Sequence, residues 1–330
     1  MSALRDWLAP HLTWTLATLL IGAAAMMTFL SLNVLFLVWL ERKVSGHIQR
    51  RRGPLHVGWH GSLQTVADMV KLVSKQLLTP LAADRLVYLL APLLIFMPTL
   101  CVATLIPISG AEAFAEQPYG LVVIIALSGI SVLAIFMAGW ASNSKYSLLG
   151  GLRASAQMIS YALSLILAVL AVVVLCGSLD LREIAAIQDH GIWNVVYQPV
   201  AFLIFVIASF AETNRHPFDF AECEPELVGG FHTEYSGMRF ALFFFAEYTN
   251  MLVLGALGAT LFLGGWLGPW LPGPAWLLLK AYALVFVMMW MRWTFPRLRF
   301  DQLMSLAWKL LIPVALVNLV VTALLVPRVG

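Results

Sequence analysis

An all-α, polytopic membrane protein of about eight transmembrane helices, with a cytoplasmic-side amphipathic helix, is the fold class this sequence predicts, on three observations. Hydrophobic residues make up 61% of its 330 positions and charged residues only 11%. The mean hydropathy of +0.87 lies well above that of a water-soluble domain. Apolar runs recur along the chain, most of them close to the roughly 20 residues a spanning helix needs. The runs are continuous and lack the alternation of a membrane barrel.

The first run covers residues 13–40. It has no basic leader and no small-residue cleavage site, so it is expected to be a retained helix, not a signal peptide. Glu41, Arg42 and Lys43 close it, and Arg50, Arg51 and Arg52 follow. Gly53-Pro54 and Gly58 mark an irregular connection. From Ser62 onward, Leu63, Val66, Val70, Leu72 and Val73 fall broadly on one helical face, while Asp68, Lys71 and Lys75 are polar. That pattern predicts an amphipathic helix lying along the membrane interface, inside a first cytoplasmic loop over residues 41–85.

Further runs cover residues 86–109, 120–140 and 155–176; the fifth, 197–210, is short. An acidic cytoplasmic loop follows at 211–239, and runs at 240–266, 275–291 and 306–327 complete the series. Prolines and glycines inside the runs are tolerated in membrane helices. With eight spans, the basic loops at 42–85, 145–153, 215–239 and 292–309 share one face, opposite only Arg5, Arg182 and Arg328. This asymmetry places the basic loops in the cytoplasm and both termini on the outer side. One membrane domain over residues 1–330 is the simplest organisation.

Several chemistries lack their ligands. Cys101, Cys176 and Cys223 are far apart, so no iron–sulfur or zinc ligand set is expected. All seven histidines lie outside the predicted spans, where a membrane haem would need them. No phosphate-binding or dinucleotide fingerprint is present, which leaves no seat for a flavin or nicotinamide. Basic and aromatic residues do not interleave as nucleic-acid binding would require. Metal, haem, flavin and iron–sulfur cofactors are therefore not expected, and any electrons come from a partner.

Against this scarcity of charge, Glu212, Asp219, Glu222, Glu224, Glu226, Glu234 and Glu247 gather in one stretch. Carboxylates at a membrane boundary are costly to hold and mark function by default. Glu222, Glu224 and Glu226 line one face if extended, whereas Glu222 and Glu226 stack if helical. Arg215 is the only lysine or arginine between Glu212 and Glu234. Crowded like charges cannot all ionise cheaply, so at least one carboxyl is expected to retain its proton. A solvated loop that docks a basic partner is the alternative. Glu247 speaks against it, because it stands within apolar ALFFFAEYTNMLVLG.

The basic run around Arg50–Arg52 also has two readings. One is topogenic charge with lipid headgroup binding. In the other, Arg42 and Arg51 line the mouth of a polar cavity with Asp68 as countercharge. Lys280, near the outer end of the seventh run, is expected to snorkel to the interface, with a proton relay as the alternative.

Five segments together, ERKVSGHIQRRRGP, GSLQTVADMVK, GWASNSKYSLLGGLRASAQMISY, AETNRHPFDFAECEPELVGGFHTEYSGMRFALFFFAEY and RLRFDQLMSLAWK, closely resemble the H-subunit family of respiratory complex I, the bacterial counterparts of the mitochondrially encoded first ND subunit. The resemblance runs in order from Glu41 to Pro313. It implies a component that joins a hydrophilic arm to the membrane arm of an NADH-quinone oxidoreductase and forms most of the chamber that admits quinone from the lipid bilayer. The quinone would be reduced by an iron–sulfur cluster in a neighbouring hydrophilic subunit, and antiporter-like membrane subunits would pump protons. A bacterial inner membrane is the implied location.

By the same resemblance, Arg42, Arg51, Asp68, Phe244, Phe245 and Arg292 are chamber positions. Glu212, Asp219, Glu222, Glu224, Glu226 and Glu247 are proton-linked carboxylates, with Arg215 pairing among them. Two departures each delete an acid: Ala162 stands after Ile159-Ser160-Tyr161 where the family commonly has Glu, and Gln76 follows Lys75. A proton route past them would run through water with Tyr161, Gln157 or Ser164. A membrane anchor of a related group 4 hydrogenase or formate hydrogenlyase, and a free-standing ion transporter, are the alternative functions.

Overall fold

The computed structural model describes residues 2–109, 118–189, 192–220 and 224–325, with side chains described from residue 20 onward except at 224 and 225. Every regular element among the described residues is helical. α1 (Ser2–Ile48) leads through an irregular loop to α2 (Gln64–Ser74). α3 (Arg85–Leu105), α4 (Gly120–Ala141) and α5 (Lys145–Cys176) follow. Two short helices, α6 (Leu181–Ile187) and α7 (Asn194–Tyr197), precede α8 (Pro199–Glu212). α9 (Glu224–Leu227) lies in the acidic loop ahead of α10 (Met238–Phe262) and α11 (Gly273–Thr294). α12 (Phe300–Leu306) runs through a π-helical turn, Ala307–Leu311, into α13 (Ile312–Leu325).

Seven helical segments among the described residues are long and apolar enough to cross a membrane. α8 occupies the place of the short fifth run, and its 14 residues give only about 21 Å of continuous helix against a hydrocarbon core of roughly 30 Å. The first apolar run does not end at residue 40. α1 continues to Ile48, so Glu41, Arg42 and Lys43 are helical and the connection begins a turn or two later than their charge implies. In α2, Val66, Val70 and Val73 stay exposed on one stripe, as an interfacial helix requires.

The helices approach closely where side chains are small. A Cβ added at Gly255 would lie 2.9 Å from the Ala281 carbonyl oxygen of α11, and one at Gly258 would lie 2.7 Å from the Phe205 ring of α8. Each end of the bundle is tied by its own connectors. At one end Leu78 N–H donates to Ser236 Oγ at 3.1 Å, Tyr88 Oη to the Glu234 carbonyl at 2.7 Å, and Ser147 Oγ to the Phe231 carbonyl at 2.9 Å. At the other end, Gln188 Nε2 donates to the Thr260 carbonyl at 3.1 Å and Asn194 Nδ2 to the Leu261 carbonyl at 2.8 Å.

Lys280 corrects the snorkelling expectation. It is only 6% exposed, and its ammonium donates to the carbonyls of Leu263, Gly265 and Leu267 at 2.6, 3.0 and 2.7 Å. The Trp193 and Trp276 rings flank it at 4.8 and 5.7 Å. The chain leaving α10 presents carbonyls with no helical partner, at the negative end of the helix dipole, and a cation with three donors meets both needs. Lys280→Met should cost about 3 kcal/mol. A thermal midpoint of the purified protein unchanged by that substitution would remove this role.

Candidate functional site: a lateral cavity beside a buried ion-pair cluster

A cavity of about 430 Å³ opens between α1, α2, α3 and the start of α10. Its wall is mostly apolar, with Met27, Val34 and Val38 from α1, Phe96 from α3, and Phe244 and Phe245 from α10. The polar edge is supplied by Arg42 and Asp68, whose side chains pair at 2.5 Å. α2 lines the cavity with Thr65, Asp68, Lys71 and Lys75 and also with Met69, Leu72 and Val73, while Val66 and Val70 lie outside the lining. The cavity thus has an apolar body and one charged rim, the shape of an amphiphile.

Beside it lies a cluster that no local pattern in the sequence announces. Glu41 is 6% exposed and accepts from Arg215 Nη1 at 3.4 Å, from Tyr248 Oη at 2.7 Å, and from Arg292 Nη1 in a close ion pair. The Arg215 guanidinium also lies 4.4 Å from the centre of the Tyr248 ring. Four segments therefore converge on one carboxylate: α1, the loop after α8, α10 and α11. Two cations on one buried anion make its ionised form the stable one; removing either partner of such a pair exposes the desolvation cost of the other.

Cavity and cluster touch. Phe244, in the cavity wall, packs on Tyr248 with ring centroids 4.7 Å apart. Glu41 and Arg42 are consecutive on α1, one directed to the cluster and the other to the cavity rim. Glu41 carries a weak local signal, an acid continuing an apolar run beside two bases, but its charge reads equally as a helix end. Tyr248 carries none beyond its place four residues after Phe244.

The remaining expected residues fall in three groups. Arg42, Asp68, Phe244 and Phe245 line the cavity, whereas Arg292 and Arg215 meet on Glu41. Arg51 belongs to a separate basic hollow, where its Nε donates to Gln49 Oε1 at 2.6 Å. Asp68 is thus a countercharge for Arg42 and not for Arg51.

Among the described residues, the acidic loop is packed at Glu212, Arg215 and Asp219 and open at Glu226. Glu212, Arg215 and Asp219 are each 8% exposed, and Phe231 and Tyr235 are buried beneath them. Asp219 lies 2.9 Å from His216 Nδ1. Tyr235 stacks on Tyr88 of α3 with centroids 4.1 Å apart. Glu226 is half-exposed and pairs with Arg153 of α5 at 2.8 Å. Glu247 is partly buried within α10. The Glu224 backbone opens α9, and Glu222 lies outside the described residues. Burial pushes the His232 imidazole down to about 4, opposed by the negative charge of Asp219.

On α5, Gln157 Nε2 bridges the carbonyls of Ala211 and Phe218, each at 2.7 Å, and Tyr161 Oη donates to the Leu303 carbonyl at 2.9 Å. Gln157 Oε1 and Ser164 Oγ, buried on that same face, have no hydrogen-bond partner among the described residues.

An amphiphile-shaped cavity with a buried ion cluster against its wall defines a polytopic membrane protein suited to an amphiphilic ligand. The chain belongs to the NADH dehydrogenase family, whose model matches residues 21–323, and is a membrane component homologous to the H subunits of NADH-quinone oxidoreductases. It is 48% identical to the NADH-quinone oxidoreductase H subunit of Geobacillus thermodenitrificans (strain NG80-2) over 329 residues, 98% of each chain. It is 50% identical to the corresponding H subunit of Brevibacillus brevis (strain 47 / JCM 6285 / NBRC 100599) over 298 residues, 89% of this chain and 88% of that one. Against the first of the NADH-quinone oxidoreductase H subunits of Geobacter sulfurreducens (strain ATCC 51573 / DSM 12127 / PCA), identity is 47% over 319 residues, 90% and 92% of the two.

Glu41→Ala should cost about 3–5 kcal/mol, because it leaves Arg215 and Arg292 facing each other in a dry site; Glu41→Gln keeps the shape and should lose less. Folded protein recovered from membranes, with its thermal midpoint, measures both. His232 gives a pH signature. Its folded value lies below the ordinary 6.5, so its contribution is complete above 6.5 and is lost as pH falls toward 4. The thermal midpoint should drop over that window, and His232→Phe should remove that part of the drop.

Proposed function

We propose that this chain forms the quinone chamber of a proton-translocating NADH-quinone oxidoreductase and carries the effect of quinone reduction toward proton pumping. The single observation that supports the reading best is the contact of cavity and ion cluster through Phe244, Tyr248 and Glu41. A quinone suits the cavity by chemistry: an apolar ring and tail against Met, Val and Phe, and carbonyl oxygens that accept from Arg42 at the rim. The relatives' names carry the same substrate.

Reduction of a quinone consumes two electrons and two protons. This chain's part is to bind and orient the ring, to keep bulk water from it, and to respond electrostatically. New negative charge at the rim would pull on Arg42 and so on α1, altering the balance of Arg215 and Arg292 on Glu41. Arg215 stands three residues from Glu212 and four from Asp219, so the disturbance enters the acidic loop directly. From there Glu212, Asp219, Glu222, Glu224, Glu226 and Glu247 serve as the proton-linked set. Gln157 Oε1 and Ser164 Oγ supply polar stations along α5, a route that compensates for Ala162.

The partners are the other subunits of such a complex: hydrophilic subunits with iron–sulfur clusters that deliver electrons, and antiporter-like membrane subunits that move protons. The chain lies in a bacterial inner membrane as one domain. Its basic connectors face the cytoplasm, both termini face outward, and the stretches 41–85 and 211–239 are the chamber-side loops.

Phe244→Ala should raise the KM for quinone roughly tenfold or more, the cost of an emptied aromatic contact, while electron transfer to artificial acceptors persists in the assembled complex. Unchanged quinone turnover with the complex intact would defeat the chamber assignment. Glu226→Gln should lower protons pumped per quinone more than it lowers assembly. Wild-type stoichiometry in that variant would exclude Glu226 from coupling.

A further inference from the structure

The basic hollow around Arg51 is unused by the function above, and it does not stand alone. It has a volume of about 480 Å³ and is lined by Lys43, His47, Arg50, Arg51, Arg52 and His60, among others. A second hollow of about 550 Å³ lies against it between α1 and α11, lined by Val44, Ile48, Phe286 and Trp290. Lys43 and His47 line both. They are four residues apart on α1 and so share one helical face. Together the two hollows make a single groove, apolar along the bundle and strongly cationic at the membrane boundary.

Charge and exposure identify what fits. No acidic side chain lines either hollow among the described residues, so four fixed cations face one space without a countercharge. Phe286 and Trp290 are 47% and 55% exposed on the outside of the bundle. A water-soluble acidic partner could answer the cations but not these rings, which face the hydrocarbon of the bilayer. The cup is also held in shape. A Cβ at Gly46 would lie 2.9 Å from the Gly53 nitrogen, so the arginine loop folds directly onto α1. Arg51 N–H donates to the Gly46 carbonyl at 2.8 Å, and Lys43 Nζ to the Pro54 carbonyl at 2.8 Å. His47 Nδ1 lies 2.8 Å from the Lys43 carbonyl, which ties the imidazole to its own helix.

We infer that this groove is a binding site for an anionic phospholipid, with the headgroup phosphate in the Arg50–Arg52 cup and an acyl chain along Phe286 and Trp290. Basic pockets at the membrane boundary bind anionic headgroups through such arrangements. Guanidinium forks suit phosphate oxygens, and tryptophan at this depth suits the glycerol region. The site is distinct from the quinone cavity, which opens on the other side of α1 between α2 and α10.

The test uses the chain purified with its partner subunits and reconstituted in phosphatidylcholine nanodiscs containing a minority of phosphatidylglycerol. Spin-labelled phosphatidylglycerol should show a larger immobilised fraction than spin-labelled phosphatidylcholine, and the excess should shrink as salt is raised. Equal fractions for the two lipids would overturn the proposal without any variant. The Arg50→Gln/Arg52→Gln double variant should weaken phosphatidylglycerol retention roughly fivefold for each arginine removed. Arg50→Lys/Arg52→Lys should retain most of it, and Trp290→Ala should weaken it with the cations intact. Retention unchanged in the double Gln variant, with hydrophilic subunits lost instead, would assign the cup to an acidic protein face. Displacement of the lipid by inorganic phosphate at matched concentration would reduce it to a simple anion site. Either result would overturn the lipid assignment.

Discussion

One carboxylate, Glu41, is the point on which the functional end of this molecule is built. A lone anion in a place this dry would not stay ionised. Arg215, Arg292 and the Tyr248 hydroxyl make it stable, and in doing so they fix four stretches of chain that are distant in sequence. The cavity rim, the entry to the acidic loop and the middle of α10 are registered to one another by that convergence. Apolar packing between helices in a bilayer supplies little directional information, because lipid tails compete on equal terms. Ion pairs and hydrogen bonds at the bundle's ends provide it instead.

The opposite end follows the same logic with the sign reversed. There Lys280 answers a set of carbonyls at the end of α10, and Gln188 and Asn194 bind others near the end of that helix. One end is keyed by a buried anion with cations around it, and the other by a buried cation with dipoles around it. The span between them relies on small residues and close helix contact, with the Tyr282 hydroxyl donating to Asn33 Oδ1 to join α11 to α1.

The sequence made the helical, multi-span architecture plain, because runs of apolar residues that long admit few other solutions. It also showed where charge gathers. It could not say which charges meet. Arg292 and Arg215 are far apart in the chain and carry no pattern linking them, yet they share Glu41. Arg42 and Arg51 look alike in a basic segment, yet they face different hollows because α1 continues to Ile48 and the loop turns back at Gly46. The length of α8 was visible as a weak apolar run. The burial of the acidic loop was not, since Phe231 and Tyr235 become anchors only once Tyr88 is beside them. Lys280 misled because a lysine near a helix end has the same local signature whether it reaches outward or inward.

The brevity of α8 bears on permeation. Its continuous helix starts at Pro199, after a break at Gln198, whose side chain is held by Thr322 and Asn318. Polar side chains therefore sit deeper on this flank than at the ends of the longer helices. α8 is shorter than the seven segments long enough to span, and it ends at Glu212. For a small charged species, the electrostatic work of crossing rises with the thickness of low-dielectric material around its path. The helix with the shortest apolar passage thus ends on a buried acid.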